Sequence, residues 1–592
     1  MSNLIILISI LSLVLIIANF LATNDCRKSY EILKNILKNS TRYEHFVNNA
    51  QNKNEAFLSF LNSDTFNVNN YLNFVSKEQI ISDSLSNKNI AKDNFIGFKI
   101  LSIILAFICV TAIVGILGVI FFKIGFSFVA LFSAIAISII VLGNKLKMKV
   151  LNEPLVWTDL LLFKEAFSHP GLYFSYASTK SLIAFILLIS SLIVGAVLTI
   201  NICTWQDVSF YQVLVMAICS LGILIIPFFL PSSWLIKILQ KLNFNLSHIA
   251  LYDATAFTPL FSFYIQLLEL KATKDIVYKK CQNSFKQNNE VMLDSENTIS
   301  NNTFDNVLLV QAESYCSLNK LLNESNYEFE KLNQKYGSNY DLDIAWDGAY
   351  TMRTEFEVLS GTCIHDLGIF AYNPYLLVQK FKFNSIAKIL KQKGFYTVCI
   401  HPNSELFFGR DKVMKNFGFD EFVALKDMPN LERNGPHVSD VALLNFTKDY
   451  LNKLKANHQK VFVFVISMEA HGPWHKGRLP NKELNDALMI YKEHLQSLSN
   501  AITSIVTTPN LFDRVVVYGD HLPSITDIKN AGFAKFDISP QVLTFENIDA
   551  IKSDMKAEVF ENNSEVQNSN ENNISNLKIK AQDVKDLVIK SL

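Results

Sequence analysis

Val515-Val516-Val517-Tyr518-Gly519-Asp520-His521 reads as a buried β-strand that ends in a carboxylate and an imidazole. Three other apolar runs within the same stretch of about 220 residues end in comparable chemistry. Asn306-Val307-Leu308-Leu309-Val310 leads to Glu313. Phe395-Tyr396-Thr397-Val398-Cys399-Ile400 stops at His401. Val461-Phe462-Val463-Phe464-Val465-Ile466 leads through Glu469 to His471. Ligands of an open α/β sheet bind outside the carboxyl ends of its strands, so four such runs describe one site. Ser539-Pro540-Gln541-Val542-Leu543-Thr544-Phe545 offers one further strand.

The rest of the chain divides by composition. It has 592 residues, half of them hydrophobic (46 are Phe), and a formal net charge of zero, which exceeds one ordinary domain. Five stretches are long and apolar enough to span a bilayer: 3–21, 96–121, 126–142, 181–200 and 209–230. No small-residue cleavage site follows the first, which therefore reads as an anchor. A five-helix membrane domain over 1–245 is expected, with a polar loop at 23–95 and an interfacial helix at 232–245. A connector at 246–302, an α/β domain at 303–550 and a polar, disordered tail at 551–592 follow. Neutral charge without a basic stripe excludes nucleic acid as a partner. Eight scattered cysteines with no C-x-x-C exclude a zinc finger or a disulfide framework, and leave open an isolated pair such as Cys316 with Cys363. Lys145, Lys147 and Lys149 beside the third span favour a cytoplasmic 144–178 loop, and hence a cytoplasmic α/β domain.

Glu313, Asp520 and His521 offer oxygen-dominated ligation with one imidazole, which suits Mn2+ or Mg2+ and is compatible with Zn2+. A hydroxyl partner comes from Thr351, in Ala349-Tyr350-Thr351-Met352-Arg353-Thr354-Glu355-Phe356. The helical pattern after Thr351 stops at Gly361, so Thr351 sits at a helix N-terminus, where N–H groups and the dipole attract phosphate. An ordinary N-cap explains the residue equally well, and Thr354 is a rival nucleophile.

Taken together, these elements resemble the lipoteichoic acid synthase and phosphoglycerol transferase group of the alkaline phosphatase–sulfatase superfamily. Gln311-Ala312-Glu313-Ser314 is similar to the family's strand-Glu-Ser element, and Thr351 with Glu355-Phe356 to its Thr-x-x-x-Glu-Phe nucleophile motif. His401-Pro402-Asn403 with Phe408-Gly409-Arg410-Asp411 resembles its substrate stretch, with Phe408 where the family commonly has Trp. His471 in Glu469-Ala470-His471-Gly472-Pro473-Trp474 resembles a second substrate histidine, and Asp520-His521 the final metal pair.

The resemblance implies a sulfatase-like α/β fold with a central, mostly parallel sheet, held outside a bacterial cytoplasmic membrane by the N-terminal helices, against the lysine count. It implies a metal-dependent phosphotransferase with Thr351 as nucleophile and fourth metal ligand. His401, Phe408, Arg410 and His471 are implied to contact substrate, the two histidines also serving as acid and base. The implied donor is phosphatidylglycerol, and the acceptor a cell-envelope glycan or polyol-phosphate polymer. A phosphoethanolamine transferase, a sulfatase-type or phosphodiesterase hydrolase and an inactive membrane scaffold are the alternatives. The three lysines beside Glu153-Pro154 are candidates for lipid phosphate.

Overall fold

The computed structural model describes residues 2–38, 90–161, 205–291, 304–317, 327–344, 350–525, 540–545 and 577–589, apart from a few positions inside these stretches, and isolated positions between 183 and 197. The chain divides into two compact units, Met1–Val277 and Tyr278–Leu592.

The first unit is helical. Helices α1 (Ser2–Lys38), α2 (Ile90–Phe121), α3 (Phe126–Leu151) and α4 (Phe210–Ile225) contain four segments that are, among the described residues, long and apolar enough to cross a membrane. The expected span at 181–200 and most of the loop at 23–95 lie outside the described residues. Leu4, Ile8, Leu11 and Leu15 repeat at helical spacing on α1 and pack with Ala106, Val110 and Val114 of α2 and Val129 of α3. Ile5, Ile6, Ile10, Leu13 and Ile17 face outward, as lipid-exposed residues do. At Gly115 a side chain would collide with Ala217 of α4, so its missing Cβ lets the two helices touch.

Within this apolar unit, buried polar groups are paired. Asn19 donates to Ser102 at 2.8 Å and to Thr258 at 3.0 Å, and its carbonyl accepts from the Leu260 N–H at 3.0 Å. Lys147 pairs with Glu153 at 3.0 Å and with Asp159 at 2.7 Å, all three shielded from solvent. Lys147 is therefore not free for lipid phosphate: Glu-Pro-Leu-Val-Trp-Thr-Asp folds back and neutralises it. Lys145 and Lys149 remain exposed.

Helix α5 (Ser232–Lys241) buries Leu235 and Leu239 and exposes Trp234 and Ile238. The stretch expected as a connector instead carries two helices, α6 (Ala250–Phe257) and α7 (Pro259–Val291), and the boundary between the units falls inside α7.

The second unit is built on an eight-stranded sheet. Its strands are β1 (Asn306–Ala312), β2 (Gly337–Asp343), β3 (Tyr396–His401), β4 (Glu421–Ala424), β7 (Val461–Ile466), β8 (Arg514–Gly519), β9 (Gln541–Phe545) and β10 (Leu577–Lys580), in the order β10-β2-β9-β8-β1-β7-β3-β4. A separate hairpin pairs β5 (Arg433–Asn434) with β6 (His437–Val438). Strands β8, β1, β7, β3 and β4 run parallel, and β9 runs antiparallel to both β8 and β2.

Continuous Val/Phe/Leu runs form these central strands because both sheet faces are covered. Leu308, Val310, Val463, Val465, Val515 and Val517 share one core with α8 (Glu328–Tyr336), α12 (Asp440–Leu454) and α13 (Ala487–Thr507). Residues of the other parity, Phe462 and Phe464, face Phe419 on the opposite side. Between these elements lie α9 (Thr351–Ser360), α10 (Ile386–Gln392) and α11 (Arg410–Phe417). Helix α9 is buried from Met352 to its last residue.

The tail corrects the compositional reading. β10 adds a strand parallel to β2, with Leu577 opposite Tyr340. Helix α14 (Val584–Ile589) follows and buries Val584 and Val588. Arg514 Nη1 lies 3.3 Å from the carbonyl oxygens of both Leu587 and Val588, so a β8 side chain caps the end of this helix. A short apolar repeat behind a long Asn-rich tract is diluted in any compositional average. Val588→Asp should destabilise the α/β unit by about 3 kcal/mol, the scale of an unpaired buried charge. An unchanged denaturation midpoint would show that this segment is not part of the fold.

Candidate active site

Because β1, β3, β7 and β8 are parallel, Glu313, His401, Glu469 and Asp520 all emerge at one edge of the sheet. Glu313, Asp520 and His521 converge there, with one potential ligand atom from each within 4.8 Å of the others. His521 Nε2 is 3.4 Å from Glu313 Oε1 and 3.3 Å from Asp520 Oδ2. The other ring nitrogen, Nδ1, lies 3.1 Å from the Leu522 carbonyl, so it donates there and leaves Nε2 turned to the two carboxylates.

The Glu313 and Asp520 carboxylates repel each other in this buried space, and a divalent cation would relieve that repulsion. Asp520 Oδ2 is buried without a well-formed hydrogen bond, as a ligand oxygen would be. The donor set thus fits a metal held by Glu313, Asp520 and His521. Burial and then the Glu313 charge push the Asp520 carboxyl up to about 6, against the opposing pull of His521, the Ser314 N–H and the Thr351 hydroxyl.

The turn after β1 is strained for this purpose. Ser314 adopts φ 55°, costly for a residue with a Cβ, and is pinned on three sides. Its N–H donates to Asp520 Oδ1 at 2.8 Å, its hydroxyl to Glu313 at 2.9 Å, and its carbonyl accepts from Tyr491 at 2.6 Å. Ser467, just past β7, accepts the Glu313 N–H at 3.0 Å.

Thr351 is the first residue of α9, with non-helical Tyr350 before it and Gly361 as C-cap. Its hydroxyl approaches Asp520 closely enough to favour the charged carboxylate, though it completes no well-aligned bond to Oδ2. The rival hydroxyl is committed elsewhere: buried Thr354 donates to the Asp520 carbonyl at 2.7 Å.

One turn past Thr351, Glu355 organises a buried network. It pairs with Arg410 at 2.9 Å, accepts from Gln311 at 3.2 Å and takes a short hydrogen bond from Tyr375. Arg410 also donates to His401 Nε2 at 3.1 Å, and His401 Nδ1 lies 3.2 Å from the Ile466 carbonyl. His401 and Arg410 thus reach the expected edge, but they are buried and engaged with each other. Burial and the neighbouring guanidinium hold His401 well below its usual pKa, which favours the neutral ring. Phe408 is half-buried at φ 58°, with the Arg410 guanidinium 5.5 Å from its ring centre.

His471 is partly exposed and bonds through Nδ1 to the Gly472 carbonyl at 2.8 Å. Sequence reasoning gave no role to Ser314, Ser467, Glu355 or Tyr375. Ser314 and Glu355 had a visible signal, since they stand in the strand-Glu-Ser element and the nucleophile motif. Cys316 is a free thiol, 3.4 Å from the Tyr491 hydroxyl, so its pairing with Cys363 is not made.

Residues 305–544 match the Sulfatase family. The chain is 36% identical over 186 residues to the capsular polysaccharide biosynthesis protein RkpI of Rhizobium meliloti (strain 1021), covering 31% of this chain and 34% of that one. It is 26% identical over 205 residues to a putative cyclic beta-1,2-glucan modification protein of the same organism, covering 32% and 31%. The matched part thus spans about a third of the length of these relatives. Among solved structures, Streptococcus pyogenes phosphoglycerol transferase GacH superposes with TM-score 0.33 at 20% identity, over 53% of this chain and 91% of that one. Lipooligosaccharide phosphoethanolamine transferase A (EptA) from Neisseria meningitidis superposes with TM-score 0.43 at 13% identity, over 90% and 94%.

Two outcomes test the site. Thermal stabilisation of the protein by added Mn2+ should be larger at pH 7.5 than at pH 5. A carboxyl titrating near 6 is charged and repelled in the metal-free protein at the higher pH, whereas at the lower pH a proton already relieves the repulsion and competes with the metal. Equal stabilisation at both pH values would contradict the assignment of Asp520 as a ligand. Arg410→Ala should cost about 3–5 kcal/mol in chemical denaturation by stranding buried Glu355. Unchanged stability with a raised KM would instead put Arg410 on substrate. The match over the α/β unit and the convergence of Glu313, Asp520 and His521 agree: residues 305–544 form a sulfatase-like α/β domain.

Proposed function

We propose that the protein is a membrane-anchored phosphotransferase that moves a glycerol phosphate group from phosphatidylglycerol to a hydroxyl of a cell-envelope glycan or polymer, through a covalent intermediate on Thr351. One observation carries the reading: the Thr351 hydroxyl, at the N-terminus of α9, faces the Asp520 carboxylate beside Glu313 and His521.

Glu313, Asp520 and His521, together with Thr351 Oγ, would hold a divalent cation, which when bound would lower the pKa of the hydroxyl and neutralise phosphate charge. The N-terminus of α9, where Thr351 stands, favours an incoming phosphoryl oxygen through its helix dipole and first-turn N–H groups. Thr351 Oγ forms the bond to phosphorus as the bond to the diacylglycerol oxygen breaks; the hydroxyl proton leaves and the diacylglycerol oxygen takes one up. An acceptor hydroxyl then attacks the phosphorus in line and Thr351 Oγ departs. Glu355, Arg410 and His401 keep α9 in place, and His471 contacts the headgroup or acceptor.

Four apolar helices support an integral membrane protein acting on a lipid donor. With Lys147 neutralised, two exposed lysines remain of the three that favoured a cytoplasmic domain, so the charge argument weakens and an extracytoplasmic site stands. The Thr-x-x-x-Glu-Phe spacing and the free thiol of Cys316 favour phosphoglycerol over phosphoethanolamine. The names of the two Rhizobium meliloti relatives favour a saccharide acceptor. Oxygen-rich ligation favours Mn2+, with Mg2+ or Zn2+ as substitutes.

The purified full chain with labelled phosphatidylglycerol and Mn2+ should release diacylglycerol, and Thr351→Ala should slow release at least about a hundredfold, a barrier increase of roughly 2.7 kcal/mol. Equal release by the variant, or faster release from phosphatidylethanolamine, would overturn the nucleophile or the donor respectively.

A further inference from the structure

We infer that His437 contacts substrate: with His471 it forms a paired-imidazole subsite that recognises a hydroxyl, either of the glycerol headgroup or of the acceptor. The inference rests on the transfer reading above and extends it to a residue outside the motifs that suggested it.

His437 lies on β6, opposite Asn434 of β5. Its ring packs edge-on against that of His471, with centroids 5.6 Å apart and planes at 64°. Two clamps hold the pair. Arg478 donates to the Asn434 carbonyl at 2.9 Å, to the Glu469 carbonyl at 2.7 Å and to the His471 carbonyl at 3.2 Å. The guanidinium runs so close to Gly435, φ 75°, that any side chain there would strike it. The buried Glu469 carboxylate collects the Asn434 amide at 2.8 Å, the Asp440 N–H at 2.6 Å, the Ser497 hydroxyl at 2.6 Å and His494 Nδ1 at 3.0 Å. Hairpin and loop are thereby fastened into one rigid wall. That wall begins at Ser467, which holds the Glu313 N–H, so it stands at the same sheet edge as the metal-binding carboxylates.

The chemistry of the two rings suits a hydroxyl. Burial, His471 and Arg478 together push His437 down to about 3, so near neutral pH it is an uncharged imidazole with one donor and one acceptor. His471, whose Nδ1 lies 2.8 Å from the Gly472 carbonyl, leaves Nε2 to meet a ligand. A hydroxyl can accept from one ring and donate to the other. Simple packing would need no nitrogen at position 437, and among the described residues none hydrogen-bonds to the His437 ring. The part-exposed ring thus keeps its donor and its acceptor available to a bound hydroxyl.

The test measures glycerol phosphate binding to the Mn2+-loaded full chain by calorimetry, with ethanolamine phosphate as the probe that lacks the glycerol hydroxyls. His437→Phe keeps the ring packing and removes both nitrogens; His437→Gln keeps a donor and an acceptor. A glycerol hydroxyl at this subsite predicts that the Phe variant binds glycerol phosphate about tenfold more weakly, binds ethanolamine phosphate as wild type does, and is largely rescued by Gln. An acceptor hydroxyl predicts unchanged glycerol phosphate binding, unchanged diacylglycerol release and a KM for a saccharide acceptor raised by a similar factor. Wild-type values for both in a variant of normal thermal midpoint would overturn the inference and leave the transferase reading intact. Should the Phe variant unfold, wild-type behaviour of His437→Leu would overturn it equally. No binding and no diacylglycerol release by wild type would overturn both.

Discussion

Convergence of the buried Glu313 and Asp520 carboxylates on the His521 ring is the constraint on which the rest of the α/β unit depends. The two carboxylates face one imidazole nitrogen in a buried space, at 3.3–3.4 Å from it. Nothing in apolar packing would bring them there. They are delivered by the ends of adjacent strands, β1 and β8, whose hydrogen bonding fixes Ala312 beside Gly519 and so fixes where the next side chains begin. The cost of convergence falls on the fold: a left-handed Ser314 and a raised Asp520 pKa both record it. A cation removes the repulsion and converts the strained arrangement into a stable one, so that binding and folding reinforce each other.

A second buried network bears on the nucleophile rather than on the metal. Glu355 is on the same helix as Thr351, one turn further on, and its ion pair with Arg410 is fully enclosed. Such a pair contributes little net stability, because desolvation offsets attraction, but breaking it strands a charge. Its consequence is positional: Gln311 of β1, Tyr375, Arg410 and His401 all converge on Glu355 or its partner, and they fix the rotation of α9 about its axis. Thr354, by bonding the Asp520 carbonyl, ties the same helix to the strand end that carries the metal ligands. The hydroxyl at residue 351 and the carboxylate at residue 520 are thus held by one connected set of bonds.

What the sequence disclosed follows from which interactions are local. Apolar runs marked β1, β3, β7 and β8, and parallel pairing then forced their ends together, so Glu313, Asp520 and His521 were legible before any coordinates. Thr351 was legible as a helix start, although its choice over Thr354 needed the long-range bond that occupies the latter. Burial was not legible. Arg410 and His401 read as open, substrate-facing groups, because a sequence gives a charged residue no sign that a carboxylate 55 positions away has claimed it. β10 and α14 were hidden for a different reason: their few apolar residues follow a polar tract, and their partners are Tyr340 and Arg514, far back in the chain. The same holds for Lys147, which reads as a surface charge until Glu153 and Asp159 fold onto it.

Burial also sorts histidines that composition treats alike. His401 is enclosed beside a guanidinium, neutral and fixed in one tautomer by the Ile466 carbonyl and Arg410. His494 is enclosed beside a carboxylate, where it holds Glu469. His521 is enclosed between two carboxylates and serves the cation. His471 and His437, by contrast, are short of full burial and pack against each other on the wall that begins at Ser467. A site built this way separates its tasks by solvent access: enclosed groups set geometry and charge, and rim groups select what enters. On the proposed reading, selection at the rim would discriminate through hydroxyl placement rather than through net charge, because phosphate charge would be answered deeper in, at Glu313, Asp520 and His521 with their cation and at the first turn of α9.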